Sequence, residues 1–281
     1  MPEGPEIRRA ADRIAEAIAG RRADAVRFGL ERLRVHEAEL SGRTVESVEP
    51  RGKALLTRFE GGRVLYSHNQ LYGKWYVCKP GRPPRTNRTL RVAIETEERW
   101  ALLYSASEIE VLDESELGGQ PFLARIGPDV LAPDTTPKRL RARLRDKRFQ
   151  GRALGGLLLD QGFVAGLGNY LRSEILFFTG LRPEARPKDL DDGQIAALAR
   201  AIREVTRRSY RTAGLTELAD FVKRAKDAGE PRRQYRHAVF ARAGRRCRRC
   251  QTVIRKVDVG SRRLYLCPVC QPVTERVTRA R

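Results

Sequence analysis

The sequence predicts an α+β protein of several domains: one N-terminal helix leading into an antiparallel β-sandwich or barrel, then a helical region, then a small segment organised by cysteines. Three observations carry this. Apolar residues recur at helical spacing over residues 3–20 and change to a period of two from about 23 to 112. The Pro- and Asp-rich run GPDVLAPDTTP, 127–137, separates that region from one with helical patterns. Four of the five cysteines follow residue 237.

In order along the chain, Ile7, Ala11, Ile14 and Ile18 form the apolar stripe of the first helix, and Gly20 supplies its stop. RTVESVE (43–49), KALLTRF (53–59), RVLYSHN (63–69), LRVAIET (90–96) and ALLYSA (101–106) read as short strands, with Gly61-Gly62 as a hairpin turn. Helical patterns follow over about 137–149, 152–163, 169–180 and 189–212. The charged stretch 214–236 has a weak pattern and reads as a mobile loop. The expected boundaries are therefore 1–126, 127–236 and 237–281.

Charge narrows the partner. Lys and Arg number 56 against 35 Asp and Glu, a net charge of +21, while 41% of the 281 residues are hydrophobic. That composition excludes a disordered polyelectrolyte, and no apolar run approaches the ~20 residues of a bilayer span. The start MPEGPEIRRA has acids at once and no apolar core, so a secretory signal is not expected, and an intracellular protein is. So basic a chain implies a polyanion, nucleic acid above all, although arginine coating a solvated surface gives the same count. Lysine occupies only nine positions, which leaves 56 − 9 = 47 arginines, the residue whose planar fork grips phosphate.

Cys247-x2-Cys250-x16-Cys267-x2-Cys270 is two thiolate knuckles joined by a short β-type segment. The spacing suits one structural Zn2+ in a tetrahedron of four sulfurs; a pair of redox CxxC motifs is the competing reading. With four thiolates no coordination position remains for water, and no soluble cofactor is implied. Gly260 would turn the hairpin and project Arg262 and Arg263 from its tip. Cys78, alone in a strand pattern, reads as a buried small hydrophobe.

Met1-Pro2-Glu3 fits an ordinary helix start, with proline in the first turn and an acid complementing the dipole. It also fits a nucleophile. Removal of Met1 would leave Pro2 a free secondary amine with a pKa of about 8, able to form an iminium, with Glu3 beside it to move protons.

Taken in order, MPEGPEIRRAA, RGKALL (51–56), SHNQLYG (67–73), LLYSASEIE (102–110), RIGPDVL (125–131), LLLDQGFVAGLGNYLRSEIL (157–176) and the four-cysteine finger closely resemble the Fpg/Nei family of bifunctional DNA glycosylases, on its endonuclease VIII side. The resemblance implies an N-terminal helix and β-sandwich, a helix–two-turn–helix domain and a C-terminal zinc finger, with damaged double-stranded DNA held between the halves. Pro2 would be the Schiff-base nucleophile at C1′ of the damaged nucleotide, and Glu3 would assist base loss and ring opening. Lys53 matches the lysine of β-elimination, and Arg262 matches the finger-tip arginine of δ-elimination, with Arg263 its neighbour and rival. Asn169 matches a phosphate-binding asparagine, equally readable as a helix cap, with Gly166 and Gly168 letting the backbone approach. Glu174 matches an acid near the active site, read as support for the N-terminal amine. Gln70-Leu71-Tyr72 matches the wedge that fills the hole left by an extruded nucleotide, and Arg125 matches a DNA-contacting arginine.

Gly4 and the contiguous QLY favour oxidised pyrimidines such as thymine glycol and dihydrouracil over 8-oxoguanine. The alternatives are an 8-oxoguanine/formamidopyrimidine enzyme and a non-catalytic zinc-ribbon DNA binder. The segment 216–234 departs from the endonuclease VIII pattern, and the basic tail 271–281 extends past the finger. A monomer in a bacterial cytoplasm, working at the nucleoid without membrane contact, is the expected setting.

Overall fold

The computed structural model describes residues 2–272; Met1 and most of the basic tail lie outside the described residues. The chain divides into two compact units, residues 1–125 and 126–281.

The first unit opens with α1 (Gly4–Ile18), whose buried stripe Ile7, Ala11, Ile14 and Ile18 is the one its periodicity predicts. Two antiparallel four-stranded sheets follow. One is ordered β1-β6-β7-β5, from β1 (Ala25–Phe28), β5 (Lys74–Cys78), β6 (Leu90–Glu95) and β7 (Trp100–Tyr104); α2 (Glu37–Leu40) is a single turn packed on β1. The other is ordered β2-β3-β4-β8, from β2 (Val45–Arg51), β3 (Ala54–Phe59), β4 (Arg63–His68) and β8 (Glu108–Asp113). Both sheets and α1 meet in one core containing Val26, Phe28, Phe59, Leu65, Ile94 and Leu103. This is the expected sandwich behind a helix. Gly61 and Gly62 both take positive φ, 82° and 77°, in the tight β3–β4 turn. β1 and β8 are not among the segments the sequence marks as strands, because they are short or lack strict alternation. Cys78 ends β5 only partly buried, because β5 lies at a sheet edge.

The second unit is helical: α3 (Pro137–Arg145), α4 (Leu154–Leu157), α5 (Asn169–Thr179), α6 (Asp192–Arg211), α7 (Ala219–Asp227) and α8 (Arg232–Tyr235), closed by the hairpin β9 (Arg255–Val259) and β10 (Arg262–Leu266). Two expectations need correction. The helix expected over 152–163 is one turn, because Gly155-Gly156 is a poor helix former and the Asp160 carboxylate accepts the Gly162 N–H at 2.7 Å, forming a turn instead. The stretch 214–236, expected as a loop, holds two helices, α7 and α8. Leu218, Val222 and Ala225 do recur at helical spacing, but six of its residues are Lys or Arg, and they mask the pattern; Leu215, Val222, Ala225 and Tyr235 share a small core. Leu264 and Leu266 of β10 lie in the main helical core with Leu171, Ile175 and Ile202, so the hairpin between the two cysteine pairs shares that core. Among the described residues no helix is long and apolar enough to cross a membrane.

Candidate active site

The start of α1 fixes the chain's first residues. Glu3 is the N-cap, in extended backbone, and the Glu6 carboxylate accepts its N–H at 3.0 Å, as in a capping box. α1 cannot roll without exposing Ile7, Ile14 and Ile18, so the residue ahead of the cap is held in place. Pro2, half-buried, lines a narrow pocket with Ile7, Lys53, His68, Asn69 and Gln70; Glu3, which follows it, is only 4% exposed. Thus Pro2, Lys53 and Gln70, distant in sequence, come together. Lys53 follows Gly52 (φ 64°) in the turn between β2 and β3, the position its RGK context predicts.

His68 and Asn69 are site residues the sequence reading passed over. Burial lowers the His68 pKa below its usual 6.5, with Glu108 opposing the shift and Lys53 adding to it. Burial thus favours the uncharged imidazole, and Lys53 lines the same pocket. Asn69 Oδ1 is buried without a hydrogen-bond partner among the described residues, an acceptor left for a ligand or water to satisfy. The available signal was their place in SHNQ, where β4 ends at the pocket.

Beyond the pocket, Leu71 and Tyr72 are 60% and 69% exposed, against the rule that large apolar side chains bury. Arg125 is exposed in a short 3-10 turn at the end of the unit, its Nε donating to the Pro121 carbonyl at 2.7 Å.

In the second unit, Asn169 is the first residue of α5, and Gly168 is its N-cap. Asn169 is thus not the helix cap; its Oδ1 accepts from Arg172 Nη2 at 3.2 Å. Of the two glycines before it, only Gly166 takes a conformation reserved for glycine (φ 99°). Gln161 laces this loop, accepting the Gly166 N–H at 3.0 Å and donating to the Leu159 and Leu167 carbonyls. Arg172, fully buried, also donates to the carbonyls of Gly155 and Arg263, at 2.7 and 3.0 Å, which ties the hairpin to α5. Arg262 and Arg263 stand exposed just past the Gly260 turn (φ 61°).

The placement of Glu174 corrects its expected role. Its carboxylate is fully buried and accepts the N–H groups of Ala238, Val239 and Phe240, each at 2.8 Å, and the Thr216 hydroxyl at 2.6 Å. Glu174 therefore anchors the segment leading to the cysteines rather than supporting an amine.

Since the Thr216 hydroxyl donates to Glu174, it accepts from His237 Nδ1 at 2.8 Å, which requires the Nδ1-protonated imidazole. Burial, aided by Arg236 and Arg232, pushes the His237 pKa down to about 3. An unfolded histidine takes its proton near pH 6.5 while the folded one resists, so this contribution is complete above pH 6.5 and drains away as pH falls toward 3. The expected loss is about 2 kcal/mol by pH 5. Hydrogen exchange at residues 238–240, followed from pH 7 to pH 5, should report it, and His237→Gln should flatten the dependence.

The four finger cysteines converge. Their sulfurs all lie within 4.8 Å of one another, with Cys247–Cys270 at 3.8 Å and Cys250–Cys267 at 3.4 Å. A disulfide would need about 2.05 Å, whereas sulfurs about 2.3 Å from one tetrahedral ion stand about 3.8 Å apart, so the donor set fits a single soft cation. Gln271 braces the second knuckle, its Oε1 accepting the Cys267 N–H at 3.0 Å.

Comparison with known proteins agrees with this arrangement. A family model described as the formamidopyrimidine-DNA glycosylase N-terminal domain matches residues 1–108, and one described as the formamidopyrimidine-DNA glycosylase H2TH domain matches residues 126–219. A protein named Endonuclease 8 from Salmonella agona is 47% identical over 271 residues, 96% of this chain and 100% of that relative. Its namesake from Klebsiella pneumoniae is 46% identical over the same shares. Among solved structures, Lactococcus lactis Fpg in complex with DNA containing N7-benzyl-Fapy-dG has a TM-score of 0.78 at 23% identity, covering 96% of this chain and 99% of that one. The same protein's complex with abasic-site DNA matches at 0.78 and 23%, covering 96% and 100%. At that identity the structural likeness is one of fold.

Proposed function

The chain belongs to the Fpg/Nei family of DNA glycosylases, and on that premise we propose that it is a base-excision-repair glycosylase and AP lyase. It removes oxidised bases, mainly pyrimidines, from double-stranded DNA. The observation that carries this reading is the pocket in which Pro2, at the capped start of α1, meets Lys53 and the end of β4.

In the proposed reaction the Pro2 nitrogen, freed by loss of Met1, attacks C1′ of the damaged nucleotide. Glu3 supplies the proton that lets the base leave and the sugar ring open, and a general acid is worth roughly 10²–10⁴ in rate. The iminium acidifies C2′, and Lys53 handles the proton of β-elimination. Arg262 holds the phosphate that departs in δ-elimination. Asn169 binds the backbone phosphate, Arg125 adds a second grip, and Gln70, Leu71 and Tyr72 occupy the space the lesion vacates. Glu174 serves as the buried anchor of the finger segment.

We assign the cysteine site to Zn2+ in a structural role, with Cys247, Cys250, Cys267 and Cys270 as ligands. When bound, the ion supplies only the cross-link that keeps the finger's fold. A monomer acting at the bacterial nucleoid accords with this chemistry.

Glu3→Gln separates the two activities. Excision of thymine glycol is expected to fall roughly a hundredfold or more, since amide nitrogen cannot donate the proton. Cleavage of a preformed abasic site, where no base has to leave, is expected to fall far less. Equal losses on both substrates would confine Glu3 to ring opening and remove its role in base departure. Substrate class is tested on duplexes carrying thymine glycol, dihydrouracil, 8-oxoguanine or an abasic site; strong 8-oxoguanine:C activity with little on thymine glycol would overturn the pyrimidine preference.

A further inference from the structure

The turn that displays Leu71 and Tyr72 is held from both sides. β4 ends at His68, and the Gly73 N–H closes a tight loop onto the Asn69 carbonyl at 2.7 Å. A Cβ on Gly73 would meet Asn69 backbone atoms at 2.6–2.7 Å, so no other residue fits there without moving the loop. The Arg88 guanidinium donates to the Tyr72 carbonyl. On the opposite side, Gln70 adopts φ 47°, a left-handed conformation that costs free energy outside glycine.

The residue that secures Gln70 is Glu108. It is the first residue of β8, directly opposite His68 in the β4–β8 pairing. One carboxylate oxygen, Oε2, accepts Gln70 Nε2 at 2.8 Å; the other, Oε1, accepts the hydroxyl of the fully buried Tyr66, also at 2.8 Å. Ser107 Oγ donates to Gln70 Oε1 at 3.2 Å, so both ends of the Gln70 amide are engaged. His68 Nδ1 faces the same carboxylate at 3.5 Å. Glu108 thus joins a buried tyrosine in the sheet to the strained first residue of an exposed apolar turn.

We propose that Glu108 is a positioning residue that presets the Gln70-Leu71-Tyr72 turn for insertion into paired DNA. This rests on the assignment of those three residues as the wedge. Glu108 does not touch the reacting atoms; it removes the cost of ordering the turn at the moment of insertion, which loose side chains would otherwise incur. Its effect therefore belongs to opening the duplex and not to the chemistry that follows.

The test compares thymine glycol in a fully paired duplex with thymine glycol in an unpaired bubble, for Glu108→Ala and for Leu71→Ala. Duplex opening is followed by fluorescence of 2-aminopurine beside the lesion. Glu108→Ala is expected to lower kcat/KM on the duplex about tenfold and to slow the fluorescence change equally, with a loss under about threefold on the bubble. Glu108→Gln, which keeps the shape and one acceptor oxygen, is expected to fall between wild type and Glu108→Ala on the duplex alone, and it serves if the alanine variant folds poorly. In a Gln70→Ala background, Glu108→Ala is expected to add nothing further. A selective Leu71→Ala with an unselective or silent Glu108→Ala overturns the inference and leaves the wedge standing. Additive losses with Gln70→Ala also overturn it. If neither variant distinguishes duplex from bubble, the wedge assignment itself fails.

Discussion

With Met1 left on the chain, base excision and strand cleavage are expected to fall by three orders of magnitude or more, about the scale seen when a covalent nucleophile is lost. The reasoning is electronic. With Met1 removed, the Pro2 nitrogen would be a secondary amine with a pKa of about 8, so that roughly a tenth is neutral at pH 7. Acylated by Met1, its lone pair is delocalised into the amide and cannot attack a sugar carbon. Fold and DNA binding should persist, because α1 is anchored by Ile7, Ile14 and Ile18 rather than by the terminus. Pro2→Gly is a milder probe: it keeps an amine but loses the ring that fixes its direction, and a drop of about a hundredfold is expected. Paired assays on thymine-glycol and abasic duplexes, with mass spectrometry of the N-terminus, check both variants. Full activity in a chain shown to retain Met1 would remove the nucleophile assignment.

Loss of the proposed metal is the second large effect expected. Leu264 and Leu266 anchor β10 in the helical core, but the knuckles themselves rest on a small cluster of Phe177, Ala238, Val239 and Ile254 around the cysteines. A structural Zn2+ in such a setting contributes on the order of 10 kcal/mol of apparent binding free energy, far more than that cluster. Cys250→Ser, or prolonged chelation, is expected to release about one zinc per chain and free the Gly260 turn carrying Arg262. δ-Elimination should be lost and binding to damaged duplex weakened at least tenfold. The sandwich should stay folded, since it has its own core around Val26, Phe59 and Leu103, and both tryptophans, Trp75 and Trp100, lie in the first unit and report on it separately. A metal-free protein that still yields the δ-elimination product would contradict a structural zinc.

The parts legible in the sequence are those where one residue type has one physical use. The α1 stripe, the Gly61-Gly62 and Gly260 turns and the cysteine spacing each admitted few structures, and the structure holds those forms. Other features depend on partners far along the chain. The resemblance makes Glu174 an acid near the active site, but its contacts are with backbone N–H groups 64 to 66 residues away. Gly168, not Asn169, takes the cap position, because capping is decided by the loop that enters α5, which Gln161 shapes. The helices over 219–235 hid behind their charges. The Glu108–Gln70 contact, which joins β8 to the turn after β4, leaves no periodic trace at all.

The most direct measurement is where borohydride fixes the covalent intermediate. The protein is incubated with an abasic duplex, reduced, digested and sequenced by mass spectrometry. The sugar remnant should sit on the nitrogen of Pro2 as the chain's first residue. A remnant on the Lys53 side chain, which lines the same pocket, would contradict the account and make the lysine the nucleophile.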